Sequence, residues 1–108
     1  MSTEFDFVAI GDITTDAFIK LKKENASVLC DAAGRKCQLC MNFGDKIEYE
    51  SVTEVYAVGN SPNAAVAAHR LGLRSALVTN LGDDARGERK IEQLEKEGIA
   101  TDFVKVHK

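Results

Sequence analysis

Proline occurs once in the 108 residues, at position 62, so long loops stiffened by proline are absent. No apolar run approaches the roughly 20 residues that span a bilayer, which argues against a membrane partner. The cations do not cluster, and 14 Lys and Arg against 17 Asp and Glu give a net charge of −3. That balance argues against a nucleic-acid surface. The first residues, Met1-Ser2-Thr3-Glu4, lack the basic and apolar regions of a signal peptide, so a cytoplasmic location is the expectation. Cysteines number three, an odd count that suits reduced thiols better than a disulfide framework. Internal repeats and low-complexity segments are absent. What remains is 44% apolar and 29% charged, in a chain long enough to bury a core as one domain.

Residues 5–11 read as a buried strand, with Phe5, Phe7, Val8 and Ile10 bounded by Gly11. Ala17, Ile19 and Leu21 alternate with Phe18, Lys20 and Lys22, the period of an exposed strand with one wetter face. Residues 23–45 are polar and weakly periodic, and read as a hairpin or loop. Two further strands are expected at 46–50 and 53–58. Beyond them the pattern is regular: a helix over 62–71, a strand at 74–79, a helix over 84–97 stopped by Gly98, and a strand at 102–106. Strand, helix and strand joined by short links imply a right-handed parallel crossover. The expected architecture is α/β, with a smaller β excursion between residues 15 and 57. Helix 62–71, rich in Ala, Val and Leu, is expected to be buried over most of its surface.

The most informative stretch runs from Val58-Gly59-Asn60-Ser61-Pro62-Asn63 to Gly72. Ser61 suits an N-cap, Pro62 a first helical position, and Gly72 a left-handed helix end. Asn63 in the first turn, near a glycine that lets a ligand approach the backbone, can hydrogen-bond a polyhydroxylated ligand. The same residues also describe an ordinary capped helix. Asp16 lies past the end of strand 5–11, the edge at which open α/β sheets bind ligands. It is either a hydroxyl acceptor or a solvated turn carboxylate. Asp83 and Asp84 read first as acids at a helix N-terminus.

Three further segments bear on the choice: Phe7-Val8-Ala9-Ile10-Gly11-Asp12-Ile13-Thr14-Thr15-Asp16, Ala76–Gly87, and Leu94–Asp102. In this order and spacing the chain resembles the N-terminal part of the PfkB (ribokinase-like) carbohydrate kinases. Asn63, Ala65, Gly72 and Gly82 fall at the spacing of that family's N-terminal signature. The resemblance implies a ribokinase-like parallel sheet with flanking helices, and a small β lid formed by residues 15–57 of the single domain 1–108. It implies substrate binding by Thr14, Asp16, Gly59, Asn60 and Asn63, and transfer of a phosphoryl group from ATP with Mg²⁺ to a hydroxyl of a sugar or nucleoside. A homodimer formed through the lid or an exposed sheet edge is also implied. Val58 and Thr79 stand where the family usually has glycine, and Thr14 where an asparagine is common.

The family's Gly-Ala-Gly-Asp-like motif, which provides the anion hole and the catalytic base, does not occur in these residues. No catalytic residue is therefore expected here, and the C-terminal nucleotide-binding part is expected to be missing. The chain alone is expected to be inactive. The alternative is a catalytically inactive sugar-binding or dimerisation module. Cys30, Cys37 and Cys40 form C-x6-C-x2-C, which is either a partial zinc site lacking a fourth ligand or a set of reduced thiols in the excursion.

Overall fold

The computed structural model describes residues 4–108. Along the chain run β1 (Phe7–Ile10), β2 (Thr14–Leu21), β3 (Ala26–Cys30), β4 (Cys37–Met41), β5 (Tyr49–Val58), α1 (Asn60–Arg70), β6 (Ser75–Gly82), α2 (Ala85–Lys96) and β7 (Val104–His107). They fall into two compact units. One holds residues 4–16 with 55–108, the other Ala17–Glu54.

In the first unit the sheet order is β1-β6-β7. Both pairings are parallel, Phe7 lying opposite Ser75 and Thr79 opposite Val104. Ser75, Ala76 and Leu77 are buried in succession, the pattern of a parallel strand covered on both faces. Leu77 and Leu94 are fully buried, and Ala9, Ala65, Leu81 and Ile99 complete the centre of the core. β6, α2 and β7 form the expected parallel crossover, and the unit is α/β.

Helix α2 begins as its sequence suggests. Asp84 is the N-cap, and its carboxylate accepts the Gly87 backbone N–H at 2.7 Å, meeting one of the donors that a helix start leaves over. Gly87 is buried, and a Cβ there would collide with the Gly82 carbonyl oxygen. Helix α1 also ends as expected. Gly72 is left-handed at φ +97°, its N–H bonds the His69 carbonyl, and the Leu73 N–H reaches back to Ala68 in the pattern of a Schellman close.

Strand β1 is shorter than the expected 5–11 and is buried only at Ala9, Val8 being 44% and Ile10 75% exposed. Three further expectations are corrected. Helix α1 starts at Asn60 with Gly59 as N-cap and no side-chain cap, because the Ser61 hydroxyl donates instead to the Ile10 carbonyl at 2.9 Å. Of the helix only Pro62, Ala65 and Ala68 are buried. Its alanines at 64 and 67 are exposed, because a helix on one face of a sheet needs a single stripe. Finally, 46–50 and 53–58 are not two strands. Ser51, Val52 and Thr53 contain no breaker, so β5 runs unbroken for ten residues.

β2 pairs with β5, and β3 with β4, as separate two-stranded sheets. Neither joins the parallel sheet. The excursion over 23–45 resolves into the β3–β4 hairpin, whose antiparallel register sets Cys30 opposite Cys37. Those two cysteines form a disulfide and Cys40 is free, which overturns the expectation of three reduced thiols. Two sulfurs joined to each other are not thiolates for a metal, and no three metal-binding side chains converge among the described residues.

Candidate functional site

The end of β1 and the start of α1 create the candidate site. Gly11 leaves β1 with φ +158° and its N–H on the Val78 carbonyl. A Cβ on Gly11 would collide with the Ser61 side chain, so glycine is what lets the first turn of α1 sit against the strand end. Ser61 completes this seam through its bond to Ile10.

Across the seam, the Thr14 hydroxyl donates to the Val58 carbonyl at 2.9 Å. Gly59 has φ +120°, and a Cβ there would lie 3.4 Å from both the Asp12 carbonyl oxygen and Thr14 Oγ1. The space would accept a Cβ, so it is the positive φ that favours glycine at 59. Just before it, Ala57 is buried with φ +60°, a conformation that costs a non-glycine residue about 1 kcal/mol or more.

Asp12, Thr14, Gly59, Asn60 and Ser61 line an open hollow of about 370 Å³. Its chemistry follows from which protons are already committed. Thr14 and Ser61 spend theirs on backbone carbonyls, so each hydroxyl offers only a lone pair. Asp12 adds carboxylate acceptors, and the Asn60 amide adds both donor and acceptor. The first intrahelical bond of α1 runs from Asn63 N–H to the Gly59 carbonyl, so the Asn60 and Ser61 N–H groups precede the ladder. The hollow thus offers mainly hydrogen-bond acceptors, with donors from the Asn60 amide and the first turn of the helix.

The residues expected from the sequence are thus distributed. Thr14, Gly59 and Asn60 meet in this hollow. Asn63 is exposed on α1 and lines a different hollow of about 420 Å³, with Tyr56, Val66, Arg70 and Glu97. There the Arg70 guanidinium grips Glu97 with two bonds of 2.6 and 3.2 Å. The hydrogen bond from Arg70 holds the Glu97 carboxyl below its usual range, and Glu97 in turn raises Arg70. Asp16 is exposed on β2 and lines neither hollow. Sequence reading missed the Ser61 role, although Gly11 and a serine at a helix start were both visible. It also left open the part that Asp12 plays as a wall of the hollow.

Residues 25–108 match the pfkB family carbohydrate kinase description. The chain belongs to the pfkB family of carbohydrate kinases. A Pyrococcus horikoshii protein assigned as a sugar kinase is 42% identical over 48 residues, which are 44% of this chain and 16% of that protein. Among solved structures, a ribokinase of Cryptococcus neoformans in complex with ADP is 26% identical with a TM-score of 0.67, over 94% of this chain and 26% of that one. A ribokinase of Arabidopsis thaliana complexed with ribose and ATP superposes with a TM-score of 0.68 at 22% identity, over 93% of this chain and 27% of that one. The pfkB chain described here therefore spans about a quarter of the length of these solved kinases.

Proposed function

We propose that this pfkB chain supplies the substrate-recognition part of an ATP-dependent sugar or nucleoside kinase. The observation that carries the reading is the hollow at the end of β1, which Thr14, Asp12 and Asn60 line together with Gly59, a glycine of positive φ. In this reading Thr14, Gly59 and Asn60 hold the sugar hydroxyls in the hollow, and Asn63 and Asp16, which lie outside it, add an amide and a carboxylate to parts of the sugar that extend beyond it. Asp16 accepts hydrogen bonds from two neighbouring hydroxyls, the strongest kind of polar contact available to a neutral sugar. ATP with Mg²⁺ is the phosphoryl donor in the whole reaction, and none of these five residues is assigned to it. Residues 15–57 act as a lid over the sugar, and the protein works in the cytoplasm as a homodimer joined through that lid or a sheet edge.

Phosphoryl transfer needs in-line positioning, a base and charge stabilisation at the phosphates. The chain alone supplies the positioning of the acceptor and is expected to turn over no ATP. A second reading, an inactive sugar-binding or dimerisation module, is favoured by the exposed apolar residues Val28, Leu39 and Phe43 of the hairpin unit.

Calorimetric titration of ribose, fructose and adenosine into the chain tests the site. Asp16→Ala is expected to weaken the preferred ligand about ten- to a hundredfold, the worth of a hydrogen bond to a charged group. Unchanged affinity in that variant removes Asp16 from the site. A parent chain that binds none of the three removes the recognition reading altogether.

A further inference from the structure

The hairpin carries a second chemistry, independent of sugar binding. Its register places Ala26 opposite Met41, Val28 opposite Leu39 and Cys30 opposite Cys37. Alternation puts these six side chains on one face. All six are apolar or sulfur-bearing, yet Val28, Leu39 and Met41 are 64%, 57% and 49% exposed. The face therefore buries little that would hold the strands together. A two-stranded sheet in water is marginal without such burial.

What holds it lies at the turn. The Gly34 N–H bonds the Asp31 carbonyl, the Arg35 N–H bonds the Asp31 carboxylate, and Gly34 is left-handed at φ +68°. One residue before this turn and one after Lys36, the Cys30–Cys37 disulfide closes the loop. Both cysteines are exposed. Cys40 stands opposite Ser27, on the other face of the hairpin, and is free. It is not placed to trade partners with the pair, which leaves an external thiol as the reactant.

We propose that Cys30–Cys37 is a thiol–disulfide exchange site whose reduction by a small dithiol selectively loosens the β3–β4 hairpin. A thiolate of the dithiol attacks one sulfur of the pair, forming a mixed disulfide and releasing the other sulfur as a thiolate. The second thiol of the reagent then attacks the mixed disulfide. Two electrons pass to the protein, Cys30 and Cys37 leave as thiols after taking up protons, and the reagent leaves as its cyclic disulfide. Exposure of the bond gives the reagent access, and disulfides of this kind in reducing compartments are usually transient and redox-responsive.

Alkylation and hydrogen exchange on the whole chain, before and after dithiothreitol, test the site. Chain purified in air without reductant is expected to present one alkylatable thiol, Cys40, and three after reduction. Exchange at residues 26–30 and 37–41 is expected to quicken about tenfold or more on reduction, while Ser75–Gly82 stays unchanged. Cys40→Ser should keep this response. The double variant Cys30→Ser/Cys37→Ser should exchange fast with or without the reagent. Three alkylatable thiols in air-purified chain overturn the proposal, as does hairpin exchange that reduction leaves unaltered. An equal quickening at Ser75–Gly82 overturns the local reading.

Discussion

The two units of this chain hold their shapes by different means. The α/β unit places fully buried side chains such as Leu77 and Leu94 between a parallel sheet and two helices. The hairpin unit leaves Val28, Leu29, Leu39 and Phe43 exposed and relies on register, turn chemistry and a disulfide. Its ion pairs, Lys20–Glu50 and Lys22–Glu48, are solvent-exposed, a class of contact that contributes little to stability. Burial fixes one unit and covalent and local bonds fix the other. Similar side chains therefore carry different weights in the two places.

The most direct way to break this contrast is a matched pair of truncations. Leu94→Ala empties a fully buried position and is expected to cost about 2–5 kcal/mol in urea unfolding. Leu39→Ala, made at a position 57% exposed, is expected to shift stability by about 0.5 kcal/mol or less. Equal costs would show that the hairpin face is covered in solution. Next comes Gly87→Ala. The added methyl meets the Gly82 carbonyl oxygen, a backbone atom with little room to move, so a loss of about 1–3 kcal/mol is expected from the same measurement. An unchanged midpoint would mean that the β6–α2 link is looser than its geometry.

The smallest effect is acid-linked. The Arg74 backbone N–H, then its side chain, holds the Asp6 carboxyl below its ordinary 3.8. The Lys22 side chain does the same for Glu48, and Arg70 for Glu97, below their ordinary 4.5. A carboxyl with a lowered folded pKa binds fewer protons when folded, so its contribution is complete above the unfolded value and is lost as pH falls through the folded one. The thermal midpoint is expected to be flat from pH 7 to about 5 and to decline shallowly below that. Glu48→Gln should leave the midpoint of the α/β unit unchanged across the series. A decline that begins above pH 6 would point to other groups.

Much of the α/β unit was legible in the sequence because its signals are local. Asp84 and Gly98 bracket α2, Gly72 ends α1, and the apolar run Ala76-Leu77-Val78 marks the central strand. The errors arose where a side chain answered to a distant partner. Ser61 looked like a cap, but the Ile10 carbonyl, 51 positions away, claims its hydroxyl. The alanines of α1 looked like core, but helix composition does not say how many neighbours a helix has. The cysteine spacing suggested a metal or free thiols. The decisive signal was instead Asp31-Ala32-Ala33-Gly34, a turn that sets Cys30 and Cys37 face to face. Of the site, the glycine loop and Thr14 were visible as a family pattern. The hollow they share with Asp12 emerges only when Gly11 lets α1 close on the strand end.

The sheet order β1-β6-β7 has a consequence in time as well as in space. Among the described strands β1 precedes the others along the chain, yet its partner among them starts at Ser75. The Asp6–Arg74 contact at the edge of that pairing closes a loop of 68 positions. Until β6 has emerged, Phe7 and Ile10 have no ladder to join, whereas the β3–β4 hairpin needs only residues 26–41. Loop closure on that scale slows folding, because its entropy is lost before any contact rewards it. The hairpin can thus pair before the parallel sheet begins to form, and β6 decides when β1 joins a ladder.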